Sequence, residues 1–239
     1  MKKSKILSLV FSMLIALFWI SLAIAFPILC RPYYYACAEL MKLSEVTGFS
    51  TEVIHDAYNE VMDYLVFGGE FGTGELRWSQ SGMSHFADCR GLFRLDFIVL
   101  GLSVIGLLAI YIYKKKCQSV TGQFKYCEND GEVISRGEPL VYCFFGKSPA
   151  FVSAFVVTVI FTIAAVWAVA DFNSLFTFFH AVCFPGKTNW IFDWRTDQII
   201  LILPEAFWAM TGALVVILSL GGLWITAILA EFLSKRNKQ

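Results

Sequence analysis

Histidine is scarce in this chain, with three in 239 residues. Net charge is missing altogether: 19 basic side chains balance 19 acidic ones. A neutral chain without a basic patch has nothing to set against a phosphate backbone, so a nucleic-acid role is excluded. No serine stands in a nucleophile-elbow pattern, which argues against a serine hydrolase. No glycine-rich phosphate loop is present, so nothing points to a nucleotide. No inverted repeat is evident, and the middles of the apolar runs lack strong charges, unlike a secondary transporter.

What the chain has in excess is apolar residues, at 57%. Four runs account for them: 6–29, 92–113, 150–170 and 207–233. Each is roughly 20 residues or longer, enough for a helix to cross a hydrocarbon core of about 30 Å. Lipid leaves no water for backbone groups, and the runs do not alternate as barrel strands would, so helices are expected. The sequence therefore predicts an all-α membrane protein with four transmembrane helices. Lys2, Lys3 and Lys5 before the first run, and Ala23-Ile24-Ala25 within it, are also features of a cleaved signal. The run is longer than a signal core of about 7–15 residues, which favours a retained helix.

The expected organisation is a tail and first helix at 1–29, a cap at 30–91, the second helix at 92–113 and a loop at 114–149. The third helix follows at 150–170, a second loop at 171–206, and the fourth helix and tail at 207–239. Lys and Arg set the orientation. The two tails and 114–149 together hold twelve, whereas the longer 30–91 and 171–206 together hold six. Both termini and 114–149 are accordingly expected in the cytoplasm, with 30–91 and 171–206 outside a cell membrane.

Within 30–91, Ser50 is a plausible N-cap for a helix whose Val53, Ile54, Ala57, Val61, Tyr64 and Leu65 recur at helical spacing. This is an amphipathic helix in the extracytoplasmic cap, ended by the turn-rich glycines 68, 69, 72 and 74. His55 falls off that stripe and reads as a solvated surface residue. In 114–149, Cys127, Glu128, Asn129, Asp130 and Gly131 suggest a turn, and nothing there carries chemistry. Cys117, Cys127 and Cys143 are expected to be cytoplasmic and reduced.

The other two histidines fall at one predicted membrane face. His85 sits in Ser84-His85-Phe86-Ala87-Asp88-Cys89-Arg90, before the second helix, and His180 in Phe178-Phe179-His180-Ala181-Val182-Cys183, after the third. Ionisable groups beside lipid are costly to desolvate, so their presence there is a functional signal. Three readings compete. Two imidazoles near their ordinary pKa of about 6.5 suit general acid–base catalysis. Asp88, three residues on from His85, would then orient or steady its ring and favour His85 as the base. A second reading takes His85, Cys89, His180 and Cys183 as a two-Cys, two-His zinc set. A Cys89–Cys183 disulfide competes for those sulfurs, and Cys30 with Cys37 is a second candidate pair. In the third reading the histidines only cap or hydrogen-bond. Interfacial aromatics are common in any membrane protein. That reading covers most of the aromatic residues, but not the His, Asp and Arg mixed among them.

Two sets of residues resemble the bacterial lipoprotein intramolecular transacylase (Lit) family. The first is Gly48-Phe49-Ser50, Met62-Asp63-Tyr64-Leu65, Ser81-Gly82-Met83-Ser84-His85-Phe86-Ala87-Asp88 and Leu92-Phe93. The second is Phe179-His180, Phe184, Trp190, Phe192-Asp193, Asp197, Leu203-Pro204-Glu205 and Phe207. The likeness covers nearly the whole chain, most clearly from Tyr33 to Phe207, and Cys89 departs from the small apolar residue expected of the pattern. The resemblance implies an enzyme that moves an acyl chain from the glyceryl sn-2 oxygen of a diacylglyceryl lipoprotein to its N-terminal cysteine amine. It implies His85 and His180 as the catalytic pair, with no cofactor and no metal, and an aromatic pocket to hold the headgroup folded for attack, for which Trp78, Phe86, Trp190 and Trp194 are the candidates. The partners it implies are the lipoprotein substrate and membrane lipids. A Cys89–Cys183 bond would tie the two histidine segments together. The competing class is a noncatalytic membrane subunit or lipid-binding protein that uses the cap as a partner surface.

Overall fold

The computed structural model describes residues 2–121 and 147–236. Among them are nine helices and no strand: α1 (Lys2–Leu29), α2 (Arg31–Leu40), α3 (Leu43–Thr47), α4 (Thr51–Val66), α5 (Gln80–Thr121), α6 (Pro149–Ala170), α7 (Phe172–Cys183), α8 (Ile199–Ile202) and α9 (Glu205–Arg236). The expected turn at Cys127, Glu128, Asn129, Asp130 and Gly131, and the redox state of Cys117, Cys127 and Cys143, lie outside the described residues and side chains.

Four helices are long and apolar enough to span a bilayer, over Lys5–Leu29, Gln80–Tyr113, Pro149–Ala170 and Glu205–Leu233. Most of their apolar side chains face outward, as bilayer-facing helices require. The second begins at Gln80, well before the 92 read from hydrophobicity. The polar run around His85 is thus a helical turn and not a loop.

The chain divides into two compact units, and α1, α5, α6 and α9 contribute residues to both. One comprises Met1–Ala23, Ile98–Ile163 and Val216–Gln239. Its core brings Ile15 of α1 together with Ala150, Ala154 and Val157 of α6 and Leu223 and Ala227 of α9. Small residues let these backbones approach, and indole-to-hydroxyl bonds satisfy the polar groups that lipid cannot. Trp19 Nε1 donates to Thr226 Oγ1 at 3.0 Å, and Trp224 Nε1 to Thr158 Oγ1 at 3.0 Å. A Cβ at Gly222 would lie 2.1 Å from the Trp19 ring, so only glycine permits this approach.

The other unit comprises Ile24–Phe97 and Ala164–Val215. Ser50 caps α4 as expected, accepting from the Val53 amide at 3.2 Å. The α4 stripe is buried at Ile54, Ala57, Val61, Tyr64 and Leu65, against Tyr34 of α2 and Ile199 and Ile202 of α8. Tyr34 stacks on Tyr58 with ring centres 3.6 Å apart and donates to the Ile202 carbonyl at 2.9 Å. Arg31 pins α2 to α4 through Asn59 and Asp63. His55 differs from expectation: it is half-buried and stacks on Tyr35 at 4.0 Å.

Replacing Gly222 by alanine is expected to push Trp19 off Thr226 and lower stability by about 1–3 kcal/mol, the usual cost of overpacking. Gly212→Ala, in the same helix with nothing within 4 Å of the added carbon, should leave the detergent melting temperature unchanged or slightly raised.

Candidate active site

A buried carboxylate fixes the start of α5. Asp197, 4% exposed, accepts from the Ser79 amide at 2.8 Å, the Ser79 hydroxyl at 2.9 Å and the Thr196 hydroxyl at 2.8 Å. The Ser79 hydroxyl in turn accepts from the Gly82 amide at 3.0 Å, capping the helix. Gly82 is glycine because a Cβ there would lie 2.1 Å from Asp197 Oδ1. Gln198 and Arg77 exchange two further bonds of 2.9 Å. This clamp sets the helix on which His85, Asp88 and Cys89 ride.

A second cap creates α7. Asp171 has an extended backbone and accepts from the Ser174 amide at 2.9 Å, so a new helix starts directly after α6. His180 is thereby a helical residue in the last turn of α7, and not the loop residue expected within 171–206. Its Nδ1 donates to the Phe176 carbonyl one turn earlier, at 2.8 Å. A carbonyl can only accept, so Nδ1 carries a proton and the neutral ring presents a bare Nε2.

The two imidazoles meet. Their ring centres are 5.6 Å apart, and they are 7% and 5% exposed. Aromatic side chains enclose both. Phe184 lies edge-on to His85 at 4.9 Å and Phe192 at 5.5 Å. Trp190 stacks on His180 at 4.5 Å, and Phe176 lies 4.2 Å from it. Phe86 and Phe71 extend the aromatic wall behind Phe192.

Asp88 does not bond the His85 ring. One oxygen accepts from the Lys187 ammonium and the other from the Asn189 amide at 3.0 Å. Asn189 also donates to Ser84 Oγ at 3.3 Å, and Trp190 Nε1 donates to the Lys187 carbonyl at 3.1 Å. Asp88 therefore holds to α5 the loop that presses Trp190 onto His180. His85 Nε2 has the Cys89 sulfur within hydrogen-bond distance, at 3.4 Å. His85 Nδ1 is buried and has no hydrogen-bond partner among the described residues.

Of the residues expected from sequence, His85, His180, Phe86 and Trp190 come together, with Asp88 bracing them. Trp78 stands one ring away, edge-on to Phe71 at 5.4 Å. Trp194 is 54% exposed with Arg195 over its face, and it makes no ring contact with either histidine among the described residues. The zinc set does not assemble: no three His, Cys, Asp or Glu side chains among the described residues are placed to share an ion. Cys30, Cys37, Cys89 and Cys183 are free thiols, so neither candidate disulfide is formed. Sequence reasoning missed Phe176, Lys187 and Asn189. Phe176 was accessible, being four residues before His180 on one helix; the other two answer Asp88 from a segment distant in sequence.

The model of the lipoprotein intramolecular transacylase Lit family matches residues 9–208. A solved structure of the membrane integral lipoprotein intramolecular transacylase Lit from Bacillus cereus aligns at TM-score 0.76 and 23% identity, over 98% of this chain and 96% of that one. Two variants of that protein, with a histidine replaced by arginine or by alanine, align at TM-score 0.72 and 22% identity. Both cover 98% of this chain, and 92% and 94% of their own. These likenesses establish a shared fold. No curated protein matches the chain.

Burial lowers the His180 pKa below the ordinary 6.5, outweighing its bond to the Phe176 carbonyl. The ring is thus expected to remain neutral at pH 6.5. A midpoint above 6.5 in an NMR titration of the detergent-solubilised protein would contradict this.

Proposed function

The chain belongs to the lipoprotein intramolecular transacylase Lit family, and on that premise we propose that His85 and His180 form the acid–base centre of this membrane acyltransferase. The substrate in this reading is a lipoprotein whose N-terminal cysteine carries a diacylglyceryl group on sulfur. The acyl chain moves from the glyceryl sn-2 oxygen to the cysteine α-amine, giving a lyso-form lipoprotein. The meeting of two buried imidazoles, one with a bare Nε2 and the other with an unpartnered Nδ1, carries the proposal.

The chemistry follows from that geometry. An α-amino group has a pKa of about 7.7–8 and must be neutral to attack. His180, held with Nε2 bare, takes the amine proton as the carbon–nitrogen bond forms. The ester carbon–oxygen bond then breaks, and the glyceryl oxygen leaves with the proton that His180 Nε2 returns. His85 is placed to hydrogen-bond the carbonyl oxygen as it gains charge. The sequence favoured His85 as base through Asp88, but Asp88 serves Lys187 and Asn189, which shifts that role to His180. Bringing amine and ester together closes a ring of about eight atoms, so a rigid aromatic enclosure supplies the ordering that a floppy headgroup lacks. Ester-to-amide exchange runs downhill without ATP. The distribution of Lys and Arg supports an active site at the extracytoplasmic face, with both termini cytoplasmic.

Expression in a bacterium that makes only diacylglyceryl lipoprotein tests the reading. Transfer conserves mass, so fragmentation of the N-terminal peptide must locate the chain. An acyl group on the amine is expected with the unaltered protein. His85→Ala and His180→Ala should each cut product by about 10²- to 10⁴-fold while the protein still inserts. Full product from either variant would sink the assignment. Asp88→Asn, which weakens the brace on Trp190 without touching either ring, should cost less than either.

A further inference from the structure

The His85 ring has one contact that the transfer reaction does not account for, the Cys89 sulfur 3.4 Å from Nε2. Both residues lie on α5, four apart, so one helical turn brings them onto the same face. On the other side of the ring, Nδ1 is buried and makes no hydrogen bond among the described residues. A neutral imidazole has one N–H and one lone pair, and the hydrogen bond at one nitrogen decides what the other presents.

We propose that Cys89 is a positioning residue: its thiol donates to His85 Nε2 and holds the ring in the tautomer that carries its proton on Nδ1. This rests on the acid–base reading above and deepens it. A thiol is a weak donor and a weak acceptor, so chemistry at the other nitrogen decides the direction. His180 already presents a lone pair, because its Nδ1 proton is committed to the Phe176 carbonyl. Were Nε2 of His85 to donate to sulfur, Nδ1 would be a second lone pair. The site would then hold two acceptors and no donor for an oxygen gaining negative charge. With the thiol donating, the pair is complementary: a lone pair on His180 for the amine proton, and an N–H on His85 for the carbonyl oxygen. The phenyl edges of Phe184 and Phe192 against the His85 ring offer no competing hydrogen bond.

The test is nitrogen NMR of the full-length protein, labelled with ¹⁵N in histidine and held in detergent micelles. With only three histidines, His55→Gln and His180→Gln assign the spectrum by elimination. The expected result for His85 is a pyrrole-type Nδ1 and a pyridine-type Nε2. Cys89→Ala should mix the tautomers and slow N-acyl product formation by about 10-fold. Cys89→Ser, with a hydroxyl in place of the thiol, should restore both the spectrum and most of the rate. A pyrrole-type Nε2 in the unaltered protein overturns the proposal, and needs no variant to fold. An unchanged spectrum in Cys89→Ala overturns it too. A hydroxylamine-labile acyl group recovered on Cys89 would make the thiol a nucleophile and refute the positioning role. Failure of the underlying reading looks different: His85→Ala would retain product while the His85 tautomer in the unaltered protein stayed as assigned.

Discussion

Everything at the site depends on keeping two imidazoles dry and uncharged beside each other. A ring that gained a proton in this enclosure would face the aromatic walls with little water to solvate it. The fold avoids that outcome by burial: phenyl and indole rings wall both imidazoles, removing water while adding no charge of their own. His180 Nδ1 donates to the Phe176 carbonyl, and the Cys89 sulfur lies at one edge of the His85 ring.

Holding such a pair demands rigidity from segments far apart in sequence. Three acidic side chains supply it in different ways. Asp197 gathers three donors and fixes where α5 begins, which sets the rotation of His85. Asp171 ends one helix and starts the next, which sets the rotation of His180. Asp88 then braces the intervening loop to α5 through Lys187 and Asn189. None of these carboxylates touches an imidazole nitrogen. Their contribution is angular, fixing which way each ring looks.

The sequence made the membrane part plain, because a run of apolar residues long enough to cross lipid has few other uses. The Ser50 cap and the α4 stripe were equally plain, since both are local signals read within two turns. The histidine pair stood out through scarcity and placement. The helical setting of both histidines was not legible. Hydrophobicity alone starts the second span at 92, and the helix that precedes it is sustained by Ser79 and Asp197, a pairing across 118 residues of chain. In the same way α7 looked like loop because Asp171, a cap, interrupts the apolar run. Cys89 was noticed for its spacing from His85 but weighed only as a metal ligand or a disulfide partner. Only the folded chain shows that the sulfur's neighbour is an imidazole nitrogen of its own helix. Trp194 was grouped with Trp190 on proximity in sequence, and four residues of turn were enough to point it elsewhere.

One nitrogen of His180 is tied to a carbonyl, and that has a consequence for bioenergetics. A relay histidine takes a proton on one face and releases it from the other, and so can pass charge across a barrier. His180 has a single working terminal. Any proton it accepts through Nε2 must leave through Nε2, to the same compartment and within the same turnover. On the proposed reading the reaction is a closed loop for protons, which neither draws on nor drains the gradient across the membrane.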